Sequence, residues 1–356
     1  MIGQRLKLAR AASGRSLREL QEAIQNRVTA QAIGKYERGE AMPSSGVLAA
    51  LARALNVSEE YLLANEVLVL DGVEFRKKTI ASKKEEAFVE GQVIHLLERY
   101  LTLEDALGLA SVVWDRPREA PYPVKNIADA ENAARAIRLH WGLGIDPIPN
   151  LAELLEERGI KVLSVDLTDI DGLTAKVRRK SGEPIPVIVV MRNIWSERKR
   201  FTLAHELGHM LMDIRPGADA EKAANRFAGA LLMPVEALWR EIGKQRTTIS
   251  LGELLRLKEL FGASFQAIVY RCHDLGIVGD SSYRRLFKVF NDQGWRKPPY
   301  REPGAIPPSA EEPRRMERLC FRALAEGAVS ESKAAEVLGI SVRDLTRRMD
   351  QPSRDP

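Results

Sequence analysis

The chain has 356 residues, with 54 Lys and Arg against 49 Asp and Glu, a net charge of +5 and an isoelectric point near 9.1. That length calls for two or three domains, and 45% hydrophobic residues can fill their cores, so a disordered or fibrous chain is excluded while the small basic excess agrees with nucleic-acid binding without establishing it. The two cysteines, Cys272 and Cys320, have no metal-ligand spacing and suit a reducing cytosol; there is no membrane-spanning apolar run and no leader at Met1-Ile-Gly-Gln-Arg5, so a soluble, cytoplasmic protein without a membrane partner is expected.

From the N-terminus, Leu6, Leu17, Leu20, Ile24, Ile33, Leu48, Leu51, Leu55 and Leu62 mark short amphipathic helices separated by turns at Gly14, near Asn26, at Gly39 to Pro43 and at Asn56 to Ser58. This predicts a five-helix, all-α domain over 1–66. Val28-Thr-Ala-Gln-Ala-Ile-Gly-Lys-Tyr-Glu-Arg-Gly39 resembles the recognition helix of the lambda-repressor-like (XRE family) helix-turn-helix domains, which implies double-stranded operator DNA as a partner. On that reading Thr29 caps the helix, while Ala30, Gln31, Ala32 and Lys35 enter the major groove. Gln31 has the shape to pair with an adenine edge, Lys35 or Arg38 reaches phosphate, and Arg5 and Arg18 add backbone contacts. The segment Leu20 to Val28 departs from the pattern, being longer than usual and lacking glycine in the turn.

Residues 67–120 read as a helical connector. Its main element, Ser82 to Leu109, carries an apolar face suited either to a homodimer, since a repressor-like domain uses two copies on two half-sites, or to packing within the chain. Residues 121–295 read as α+β: helices from about Ala128 to Trp141 and Leu151 to Arg158 precede strands at Ile160 to Leu167, Gly172 to Val177 and Val187 to Met191. The last strand is either an edge able to align an extended peptide or an ordinary internal strand.

The most informative stretch follows, His205-Glu206-Leu-Gly-His209, within a helix expected to start on a Ser196 cap. Residues four apart share a helical face, so His205 and His209 can ligate one ion, while Glu206 can reach a water held by that ion and act as acid/base. A second helical pattern, Asp219 to Pro234, places Glu221, Ala224, Asn225 and Ala228 on one face, small enough for close approach to the first helix. Glu221 is the expected third ligand of one zinc ion per chain, with Asp219 and then Asp213 as alternatives.

Arg200-Phe-Thr-Leu-Ala-His-Glu-Leu-Gly-His209, with Glu221-x-x-Ala-Asn-x-Phe-Ala and Leu231-Leu-Met-Pro234, resembles the ImmA/IrrE metallopeptidases, and upstream Pro147-Ile-Pro-Asn-Leu and Asp171-Gly172 also fit. The resemblance covers roughly residues 125 to 240. It implies a zincin-like, gluzincin-type domain in which His205, His209 and Glu221 match the metal ligands and Glu206 the catalytic residue, and a protein substrate such as a DNA-bound repressor in a stress or mobile-element response. Fusion of such a peptidase to a repressor-like domain is also familiar among antitoxins, which would make a cognate toxin the partner and the peptidase an autoregulatory or scaffolding element.

Residues 296–356 read as a linker or wrapping arm, with six prolines between Lys297 and Pro313, and a small helical appendage. There Ala334-Ala-x-x-Leu-Gly-Ile-Ser341 resembles another helix-turn-helix, although such pairs are often packing or protein-contact elements.

Overall fold

The computed structural model describes residues 2–63, 68–77, 83–166, 170–178 and 183–350. An all-α N-terminal unit is followed by an α+β region and a helical C-terminal part. The N-terminal unit has the five expected helices, α1 (Ile2–Ala12), α2 (Leu17–Ala23), α3 (Ala30–Arg38), α4 (Ser45–Leu55) and α5 (Glu59–Leu63). Their apolar faces close one core around Leu6, Leu20, Ile33, Leu51 and Leu62, each fully buried.

Strand β1 (Val69–Lys77) and helix α6 (Lys83–Ala106) follow. The sequence suggested a purely helical connector here, but β1 pairs antiparallel with β4 (Ile170–Arg178). The pairing carries a register irregularity between Asp71 and Glu74. The apolar face of α6, Val89, Val93, Leu97 and Leu101, is buried inside the chain against Leu163, Leu173, Val187 and Val189. Intramolecular packing thus accounts for the face whose alternative use was dimerisation.

The main sheet runs β1-β4-β5-β3, with β3 at Lys161–Val165 and β5 at Ile185–Met191. β5 lies between β3, parallel, and β4, antiparallel, and Val187 to Val190 are buried without exception. The edge-strand alternative for Val187 to Met191 is therefore corrected: neighbours occupy both sides of the strand, and burial on both faces accounts for its continuous apolar run. A second, two-stranded sheet joins β2 (Tyr122–Val124) in parallel to β6 (Met212–Ile214).

Helices α7 (Ile127–His140), α8 (Leu151–Glu157), α9 (Ser196–Leu211) and α10 (Ala220–Leu232) form the largest core with β3 and β5. Helices α11 (Val235–Ile242), α12 (Leu251–Phe261), α13 (Phe265–Asp274) and α14 (Asp280–Asp292) extend it. The Pro-rich segment then crosses the start of α9, and α15 (Arg315–Ala325), α16 (Glu331–Leu338) and α17 (Val342–Asp350) pack back on Tyr100 and Leu103 of α6. Among the described residues no helix is long and apolar enough to cross a membrane.

Candidate metal centre and DNA-facing helix

Helix α9 begins unfavourably: Arg198, Lys199 and Arg200 sit in its first turns, where the helix dipole disfavours positive charge. The C-terminal arm corrects this. Lys199, fully buried, pairs with Glu312, and Arg200 pairs with Glu311 at 3.0 Å. Glu197 and Glu302 share the buried Lys258 ammonium at 2.6 and 3.0 Å. Burial pushes the Glu302 carboxyl up against the pull of Lys258. Ser196 is not the cap that the sequence suggested: Trp195 holds that position, and the Ser196 hydroxyl donates to the carbonyl of Pro307. The Ile306 carbonyl accepts from the Ser196 amide at 3.0 Å, so the arm takes over the capping role and fixes the helix that carries the histidines.

One to two turns further on, α9 meets α10. Gly208 permits close contact, because a Cβ there would come within 2.9 Å of the Phe227 ring, and Ala224 and Ala228 are fully buried on the facing helix. Asp219 caps α10 by accepting from the Lys222 amide at 3.0 Å, which holds its carboxyl below the usual range. Asp213 pairs with Arg215 at 2.9 Å. Neither alternative ligand joins the histidines, whereas Glu221 does: among the described residues, His205, His209 and Glu221 bring their donor atoms within 4.8 Å of one another. Nε2 of His209 lies 2.9 Å from Nε2 of His205, and the Glu221 carboxylate lies 3.6 Å from the first-named motif histidine, His205, and 3.5 Å from His209.

Donors about 2.0–2.1 Å from a tetrahedral ion lie roughly 3.3 Å apart, so these separations bracket what a single zinc requires. Two imidazoles and one carboxylate are also the donor set of catalytic zinc sites. The His205 ring is wholly buried, that of His209 is 20% exposed and the Glu221 side chain 59%, so the cluster opens to solvent along the Glu221 side. Glu206 is buried beside it, with its Oε1 3.3 Å from where a Cβ on Gly172 would stand. The β4 backbone therefore runs against this carboxylate, and Thr202 closes the same gap at 2.7 Å.

Sequence reading underused Asn225. Its Oδ1 accepts from the Nδ1–H of His205 at 2.9 Å, which leaves Nε2 aimed at the cluster. The Glu221-x-x-x-Asn225 spacing was the available signal, since it places both on the face towards α9. Asn225 also lines a cavity of about 380 Å³ with Phe201, Thr202, Gly229, Tyr270 and Tyr300.

At the other end, Thr29 caps α3 by accepting from the Ala32 amide at 3.2 Å. Gln31 and Lys35 are exposed, Ala30 and Ala32 half-buried, and Arg38 is exposed but engaged with Glu40 at 2.5 Å. Arg18 is exposed on α2. Arg5 is corrected as a phosphate contact: it is 5% exposed, pairs with Glu98 of α6 at 3.0 Å and lies over the Tyr61 ring, because its face of α1 docks on α6. The glycine-free turn is made by Gln25 and Asn26, both in the left-handed region, and braced by Gln21, which donates to Asn26 at 2.8 Å and accepts from the Ala30 amide at 2.7 Å.

Residues 155–273 match the family model of the IrrE N-terminal-like domain, and residues 6–62 match that of the helix-turn-helix family. No curated protein and no solved structure matches the chain. The chain joins a helix-turn-helix domain of the XRE type to an IrrE-like domain, and this combination supports a DNA-binding regulator with a metallopeptidase-like domain.

Proposed function

We propose that this chain, a fusion of a DNA-binding helix-turn-helix domain with an IrrE-like domain, is a transcriptional regulator whose zinc-dependent endopeptidase cuts a repressor, another regulatory protein or the chain itself. The observation that carries the reading is the convergence of His205, His209 and Glu221 from two helices, next to the buried Glu206. These three side chains would hold the ion, which when bound supplies a Lewis acid that activates water and polarises a peptide carbonyl. Glu206 takes the proton of the attacking water and returns it to the leaving amine. Asn225 keeps His205 in the tautomer that presents Nε2.

A second reading, the antitoxin that represses its own promoter and neutralises a toxin, is favoured by one feature. β1, from the segment joining the two domains, already pairs along β4, so the chain's own residues occupy the side of that strand away from β5. Metal analysis of wild type and Glu206→Gln, each then incubated with the chain's own N-terminal domain and with the products of adjacent genes, separates the two. The peptidase reading predicts zinc in both proteins and cleavage by wild type alone. Zinc in both with every candidate intact would favour the antitoxin.

A further inference from the structure

The second helix-turn-helix pattern noted in the sequence is not absorbed by the peptidase. In the structure α16 ends on Gly339 in the left-handed region at φ 68°, followed by Ile340 and Ser341. The Ser341 hydroxyl then accepts from the Asp344 amide at 3.0 Å and starts α17. Two helices joined by so short a glycine-containing turn make a tighter helix-turn-helix than α2 and α3, which need a longer turn through Gln25 and Asn26. Helix α17 is held by Leu345, its one buried residue, packed with Ala334, Ala335 and Val337 of α16. Val342, Arg343, Thr346, Arg347 and Met349 are all exposed. Arg347 pairs with Asp344 at 3.1 Å and Arg348 with Glu317 at 2.9 Å, exposed pairs for which phosphate can compete.

Placement adds a second argument. The N-terminal domain docks on α6 through Gln92, which donates to the Ala12 carbonyl at 2.6 Å, and through the Arg5–Glu98 pair. The C-terminal unit docks on the same helix, where Arg99 donates to the Glu336 carbonyl and Tyr100 and Leu103 enter the core of α15 and α16. Gln92 and Leu103 are about 17 Å apart along a helix axis, so one rigid element carries both units side by side.

We infer that α17 is a second DNA-contacting helix, so that a single chain grips double-stranded DNA at two places. Arg343 and Arg347 approach phosphate or guanine edges, and Val342 and Thr346 offer apolar contact to thymine methyls. Residues 314–350 carry eight Lys and Arg against six Asp and Glu, so attraction comes from the Arg-bearing face of α17 and not from overall charge. A protein partner on this face is the competing occupant.

The test uses the full chain and a random-sequence 40-bp duplex, with affinity measured across a salt series and oligomeric state by light scattering. The variants are Arg343→Ala/Arg347→Ala, the charge-conserving Arg343→Lys/Arg347→Lys, and Gln31→Ala/Lys35→Ala on α3. The alanine pair is expected to lower the slope of log affinity against log salt by about 2, at roughly 0.9 per phosphate contact, and the lysine pair to restore it. An alanine pair with wild-type slope and affinity overturns the inference, as does a change in oligomeric state, which would assign α17 to a chain–chain contact. Loss confined to the α3 variant removes this inference alone, whereas a wild type that binds no duplex removes the DNA-binding reading as well.

Discussion

Replacing Asn225 with Leu tests whether the site is organised around a metal. Leucine fills nearly the same volume but removes the Oδ1 that accepts from Nδ1–H of His205 at 2.9 Å. Loss of such an orienting partner costs about 10- to 100-fold in metal affinity, or about 1.4–2.7 kcal/mol. Two features set the position within that range. His205 is wholly buried, so its ring cannot swing out to bulk water, which argues for a large effect. Asn225 also lines the 380 Å³ cavity, from which a water molecule can replace part of the lost bond, and this argues for the lower end. The expected loss is therefore about tenfold. Asn225→Asp keeps an acceptor in place and adds charge assistance, so it should bind zinc at least as tightly as wild type. Competition with a chromogenic chelator measures each affinity in the full chain, with His205→Ala as the null control. If Asn225→Leu matches wild type while His205→Ala has lost the metal, the hydrogen bond does not orient a ligand and the reasoning is wrong.

Glu156 is buried under Tyr100 and Arg315, and burial pushes its carboxyl up to about 7 despite the Arg315 amide that donates to it. The folded state holds this proton where the unfolded chain has released it, so the group's stability is present below about 4.5 and is lost as pH rises through about 7. Urea titrations should show Glu156→Gln gaining on wild type by about 3 kcal/mol at most near pH 8 and by almost nothing near pH 5, and an equal difference at both would contradict this. His95 runs the other way: burial, then Arg99 and Arg5, lower it to about 4, so stability present above about 6.5 is lost as pH falls through about 4. Since its ring meets Tyr61 at 5.3 Å, thermal melts at pH 7 and 5 should show a drop for wild type that His95→Gln lacks, and parallel melts would refute the assignment. Gly172→Ala places a Cβ 2.7 Å from Thr202 and 3.3 Å from Glu206, an overpacking expected to cost about 1–3 kcal/mol; unchanged melting would contradict so close an approach of the strand to α9.

The sequence was most legible where chemistry imposes a spacing. His205 and His209 four residues apart, and Glu221 opening the next helix, come together in the fold as the helical period demands. The N-terminal helices were equally plain, because each pairs an apolar period with a capping or turn residue. What could not be read depends on distant partners. β1 lies in a segment read as helical, and it is a strand because β4, about a hundred residues later, is there to pair with it. The placement of β5 inside the sheet follows from neighbours on both sides and not from its own residues. Arg5 looked like a phosphate contact because nothing near it in sequence announces Glu98, and Ser196 looked like a cap because the arm 111 residues later is what occupies its hydroxyl.

The central claim is that α9 and α10 together build one zinc site. Zinc content of the purified full-length chain, measured after dialysis against a weak chelator, tests it most directly. The account predicts one equivalent in wild type and in Glu206→Gln, and almost none in His209→Ala, with Glu221→Ala greatly weakened. A wild-type protein that retains no zinc, or a His209→Ala variant that keeps a full equivalent, would contradict it.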